Sequence, residues 1–129
     1  MPTFTTFFST GAAIETVVCT CNNDLPNNHY VRLPIKKQWR DMIREGIKKE
    51  EYRRMSPGNK RVFEKACKAI ASDCEGCYLR LHNYSKDYTQ VKCIGLKIGR
   101  GNPKWGAPTG EDVYIYQLDS NSVKDYIFV

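Results

Sequence analysis

Cys74-Glu75-Gly76-Cys77 is the segment whose residue types and spacing best suit chemistry. Two cysteines flanking a glycine turn form a knuckle that aims both thiolates at one point, and zinc takes four such ligands in a tetrahedron. His82 follows Cys77 at the spacing C-x2-C-x4-H, which would put a fourth ligand near position 87, where the chain has Asp87. If Tyr78 to His82 is extended, however, His82 lies ~16 Å from Cys77 at ~3.3 Å per residue, too far to share one ion. A hairpin would bring Cys93 almost opposite Cys77, and Cys19 with Cys21, both on one face of a strand, could complete the set. Six cysteines and two histidines also suffice for two sites, the second built from Cys19, Cys21 and His29. Zinc is therefore the expected cofactor, with Cys74, Cys77, Cys93, His82, Cys19 and Cys21 as candidate ligands. Cys67 falls in an apolar helical stripe and reads as a small core residue. A nucleophilic cysteine would need a lowered pKa and a base in reach. The chain has no protease-like signature, Walker loop or G-x-G-x-x-G, so no enzyme is expected.

Gly99 to Gly110 holds four glycines, two prolines and Trp105. A tryptophan in such a loop is either folded back as a pin or kept for a partner, because its apolar area is costly in water. Trp105-Gly106 in this setting is similar to an Argonaute hook, in which a tryptophan enters a pocket on an Argonaute protein. The pair is accordingly the candidate protein-binding site.

The third group is basic. Val31 to Lys68 carries 13 Lys/Arg against 5 Asp/Glu, and the rest of the chain carries 7 against 9, so the net charge of +6 belongs to one segment. Such a field suits phosphates or acidic partners. Lys36, Lys37, Arg40, Arg44, Lys48, Lys49, Arg53 and Arg54 are the candidate nucleic-acid contacts, although Asp41, Glu45, Glu50 and Glu51 interrupt them and several can pair at helical spacing.

The elements that must position these groups follow from periodicity. Ile14 to Cys21 and His29 to Leu33 read as strands of a hairpin across the turn-forming Asn22–Asn28, with Cys21 opposite His29 and Cys19 opposite Val31. Ile35, Trp39, Met42, Ile43 and Ile47 mark one amphipathic helix opened by Pro34, with Lys48 off its apolar stripe. Ser56-Pro57 caps a second helix, whose apolar face holds Val62, Phe63, Ala66, Cys67, Ile70 and Ala71 and which ends near Ser72-Asp73. Tyr78–His82, Thr89–Ile98 and Val113–Leu118 read as strands. Val123–Val129 is a last strand or a tail docking in trans. The expected fold is α+β: two amphipathic helices in a basic middle segment packed against antiparallel β hairpins, one zinc-stabilised domain over 1–129 with a flexible loop at 99–110.

At 129 residues the chain suits one domain. Its first thirteen residues, MPTFTTFFSTGAA, hold no Lys or Arg and no long apolar run, so neither an export leader nor a membrane span is expected there, and the cysteines are expected as thiols or ligands rather than disulfides. With Cys74, Cys77, Trp105 and Gly106 in a short basic chain, the sequence resembles the first-reading-frame proteins of sobemoviruses. That resemblance implies a zinc-binding plant-virus suppressor of host RNA silencing that aids movement and acts in the host cytoplasm or nucleus. Its partner would be an Argonaute-type protein held through Trp105. The alternative is a basic protein contacting RNA or DNA phosphates through the 36–68 helices, and a homodimer is open under either reading.

Overall fold

The computed structural model describes residues 2–20, 29–72 and 76–129. Its organising element is the last strand. Val113-Tyr-Ile-Tyr-Gln-Leu118 is β-branched and aromatic at nearly every position, and such residues pack well on a pleated surface with both faces covered. We number the strands β1 (Thr3–Phe7), β2 (Ala13–Cys19), β3 (Tyr30–Pro34), β4 (Glu50–Arg54), β5 (Cys77–His82), β6 (Tyr88–Gly99) and β7 (Val113–Phe128), with helices α1 (Lys37–Arg44) and α2 (Pro57–Ser72). All seven strands form one sheet in the order β1-β2-β7-β6-β5-β3, with β4 also on β7.

β7 serves three neighbours because it is 16 residues long and irregular at its middle. Its first five residues pair antiparallel with β4, Glu50 opposite Gln117 and Arg54 opposite Val113. Its last five run parallel to β2, Glu15 opposite Lys124 and Cys19 opposite Phe128. Along the other edge lies β6, with register shifts between Gln90 and Lys92 and between Cys93 and Gly95. Ser122 Oγ fills the gap there, accepting from Lys92 N at 2.7 Å and donating to the Asp119 carbonyl. Bulges of this kind bend and twist a strand, and here the bend lets β7 exchange β4 for β2.

Both helices pack on the sheet. Ser56 Oγ accepts from Asn59 N at 3.2 Å and Pro57 opens α2, as its sequence signature predicts. Phe63 of α2 stacks on Tyr114 at 4.6 Å and meets Tyr116 edge-on at 5.6 Å. Around them Ile14, Val31, Leu33, Ile43, Leu79, Leu81 and Val91 form the main core. Two smaller clusters lie apart: Val17, Cys19, Tyr88 and Tyr126, and Tyr52, Ala107, Val113 and Ile115. No helix among the described residues is long and apolar enough to cross a membrane.

This architecture corrects the expected one. The sheet carries the fold, rather than two helices packed against separate hairpins, and among the described residues no cluster of His, Cys, Asp or Glu could hold a metal ion, so the zinc-stabilised domain is not what forms. β2 and β3 do not pair: β2 lies between β1 and β7, and β3 runs parallel to β5. Cys19 therefore faces Phe128 and Val31 faces Leu79. The first helix stops at Arg44, because Gly46 turns left-handed at φ +78°. β4 then replaces what the periodicity continued as helix. That break exchanges two side chains: Ile47, expected in the core, is exposed, and Lys48, expected in solvent, is buried.

Candidate nucleic-acid interface

Among the described residues the metal candidates form no group that could hold an ion. Cys77 and Cys93 are register partners, as the hairpin requires, and both are buried in the main core. Burial pushes the Cys77 thiol up to about 11 and the Cys93 thiol up to about 12, so neither is poised as a thiolate nucleophile. His82 sits at the far end of β5, paired with Tyr88. Cys19 belongs to a separate cluster with Tyr88 and Tyr126. Cys21 and Cys74 lie outside the described residues. Cys67, expected in the core, is exposed on α2.

The Gly99–Gly110 loop is held by hydrogen bonds and packing. Pro103–Trp105 forms a 3-10 turn whose Asn102 cap accepts from Lys104 N. Trp105 is half-buried against Tyr52, Ala107, Val113 and Ile115. Its carbonyl accepts from Lys48 Nζ at 2.5 Å, and Tyr52 Oη accepts from Asn102 N at 3.0 Å. Gly106 adopts φ +98° so close to Trp39 that a Cβ would sit 2.9 Å from the indole. Trp105 and Gly106 thus help fasten the loop to α1 and β4.

The basic candidates divide into two sets. Lys48 is buried against Glu51, Arg53 pairs with the same carboxylate, Arg44 with Asp41 and Asp125, Lys37 with Asp41, and Arg54 with Glu111. Lys36, Arg40 and Lys49 have no carboxylate partner among the described residues, and Lys49 reaches only Ser120 Oγ, at 3.5 Å. Lys36, Lys37, Arg40 and Arg44 share α1 and its cap, Lys48 is interior to the fold, and the partly buried Arg53 is held by Glu51 and the Pro34 carbonyl.

What the structure does bring together is a cleft of about 550 Å³ lined by Pro34, Ile35, Lys36, Lys37, His82, Asn83, Tyr84 and Ser85. Its position follows from β-pairing. Pro34 is the register partner of His82, whose carbonyl accepts from Ile35 N at 2.9 Å, so the entry to α1 lies beside the β5–β6 turn. Arg53 donates to the Pro34 carbonyl and fixes the wall from beneath. α1 begins with Lys36 in an extended conformation, no side-chain cap and no acidic residue in its first turn. At the opposite wall Tyr84 is 104% exposed. It is also the one non-glycine residue with positive φ, +57°, among those described. Burial, with Arg32 and Arg53 nearby, holds the His82 imidazole below its usual range, so it is neutral at pH 7.

Tyr84 and Arg32 were not singled out from the sequence. An aromatic between Asn83 and Ser85, in a turn that needs polar residues, is the signal that marks Tyr84. Arg32 is visible only through the parallel β3–β5 pairing, which puts it on the face of His82. Comparison with family models, curated proteins and solved structures finds no match to this chain.

Proposed function

We propose that this protein binds single-stranded nucleic acid, with one nucleotide seated in the cleft between α1 and the β5–β6 turn. The observation that carries the reading is Tyr84: a fully exposed ring, on strained backbone, beside Lys36, Lys37 and His82. A left-handed conformation costs an L-residue roughly 1–2 kcal/mol, and strain of this kind gathers at ligand-binding sites. A base stacks on Tyr84, the phosphate meets Lys36 and the uncapped start of α1, and His82, Asn83 and Ser85 supply hydrogen-bonding edges. Sequestering RNA in this way would serve the suppression of silencing that the sobemovirus resemblance implies. The Trp105 hook is the weaker route, since a partner would have to lift the ring from its cluster and break the Lys48 bond to its carbonyl.

The test is fluorescence anisotropy with labelled oligouridylate and oligothymidylate. Tyr84→Ala should weaken binding by roughly 1–3 kcal/mol, the worth of one stacked base, with no fall in melting temperature. Lys36→Ala combined with Lys37→Ala should make the salt dependence shallower. If Tyr84→Ala binds as wild type does, the cleft is not the site.

A further inference from the structure

We infer that a second phosphate subsite lies one helical turn along α1 from the cleft, at Arg40, so that the strand runs along the groove between α1 and the β5–β6 turn. This inference rests on the reading above. A second cleft, of about 160 Å³, is lined by Arg40, Arg44, Asp87, Tyr88, Thr89, Asp125, Tyr126 and Ile127. Like the first it lies between α1 and the segment after β5, and Asp125, Tyr126 and Ile127 of β7 add a third side. Lys36 and Lys37 face the larger cleft and Arg40 and Arg44 the smaller, while residues 82–85 line the one and 87–89 the other. One turn of helix, ~5.4 Å, separates the two sets of cations, a step comparable with that between neighbouring phosphates of a strand.

The charges in the smaller cleft decide which group is available. Arg44 is engaged, with Nε and Nη2 on Asp125 Oδ2 at 2.9 and 2.8 Å and Nη1 on Asp41 Oδ1 at 3.4 Å. Asp125 also accepts from Thr89 Oγ1 at 2.6 Å, and Asp87 accepts from Phe128 N at 2.9 Å. Asp41 holds Lys37 at 2.6 Å. Both carboxylates that line this cleft are therefore already bound to donors of the fold. Arg40 is the exception: among the described residues it has no ion pair, and its Nε is buried with no hydrogen-bond partner. A buried donor left unmet is unfavourable, and a phosphate drawing the guanidinium toward the groove would relieve it. The planar fork of arginine suits phosphate oxygens.

The subsite predicts a length dependence. Uridine monophosphate should occupy the first cleft alone, and hexauridylate both. Arg40→Gln should leave monophosphate affinity unchanged. It should weaken hexauridylate at least about tenfold, the worth of one charge-assisted hydrogen bond, and reduce the slope of log affinity against log salt by about 0.7. Arg40→Lys should restore the slope but only part of the affinity, and the melting temperatures of both variants serve as the control for folding. If Arg40→Gln binds hexauridylate as wild type does, or loses monophosphate equally, the second subsite is overturned while the first cleft stands. If wild type binds neither probe, the reading of the first cleft fails and the subsite with it.

Discussion

Replacing Lys48 with methionine tests the least intuitive feature of this fold. The Lys48 side chain is fully buried: Nζ lies 3.2 Å from Glu51 Oε1 and 2.5 Å from the Trp105 carbonyl. It also sits 4.6 Å from the centre of the Tyr52 ring and 5.7 Å from that of Trp39. Methionine keeps the stem and removes the charge. Glu51 would keep Arg53 at 3.4 Å and the Tyr52 amide at 3.1 Å. Breaking a buried pair by removing one partner costs about 3–5 kcal/mol, and the retained Arg53 argues for the lower end. At roughly 3–5 °C per kcal/mol for a domain of this size, Lys48→Met should melt about 10–15 °C below wild type. The Trp105 carbonyl also loses its donor, so native tryptophan emission should shift to the red. Adding Glu51→Gln should recover part of the loss. The sign of the pH effect follows from burial, which outweighs Glu51 and lowers the Lys48 pKa below its ordinary 10.5. The charged form is penalised in the fold, so wild-type stability should rise as pH climbs from the lowered value toward 10.5, and Lys48→Met should lack that rise. Differential scanning calorimetry with fluorescence measures all of this. A variant melting within about 2 °C of wild type with unchanged emission would refute the buried pair and restore Lys48 to the solvent face that helical periodicity assigns it.

His82 gives a pH-linked prediction. Its pKa is lowered by burial first and then by Arg32 and Arg53, so its contribution to stability is complete above the ordinary 6.5 and diminishes as pH falls toward the lowered value. A bound phosphate favours the imidazolium, so oligonucleotide affinity should rise as pH falls through the ordinary 6.5 toward the lowered value, and His82→Gln should flatten that rise. Gly106→Ala should destabilise by about 1–3 kcal/mol, because it combines φ +98° with a Cβ 2.9 Å from Trp39. A melting temperature equal to wild type would mean that the loop is not fastened there.

Local pattern made part of this fold legible. The capping signature of Ser56-Pro57 and the apolar face of Phe63 and Ala66 mark α2 directly, and both strands of the Cys77–Cys93 pair stand out in the sequence. The missing parts are those set by distant partners. β1 is a short strand of Thr and Phe, mostly exposed, whose pairing on β2 no local signal announces. β4, Glu50-Glu-Tyr-Arg-Arg54, reads as charged helix surface, yet β7 orders it as a strand and Lys48 neutralises Glu51 from within. The adjacent β2 and β3 read as a hairpin because proximity in sequence favours one, whereas parallel pairing to β7 and β5 requires knowledge of the whole sheet. Spacing set Cys77 beside Cys93, and β5, which runs from Cys77 to His82, carries the histidine to the opposite end of the strand.

Charge shows most clearly why composition is a poor guide to the binding face. The surplus of basic residues between Val31 and Lys68 suggests a broad positive surface. The fold dismantles it by pairing Arg44 and Lys37 with Asp41, Lys48 and Arg53 with Glu51, and Arg54 with Glu111. Exposed pairs among these contribute little to stability, but each lowers the field available to a ligand. At the start of α1, Lys36 and Arg40 have no carboxylate partner among the described residues, and Arg32 adds its charge beside His82. Beside that end the β5–β6 turn presents the exposed ring of Tyr84. A protein selected only for solubility has no need to hold an aromatic ring out of its surface on strained backbone next to its unpaired cations. A site that stacks a base while it meets the adjoining phosphate requires both at once.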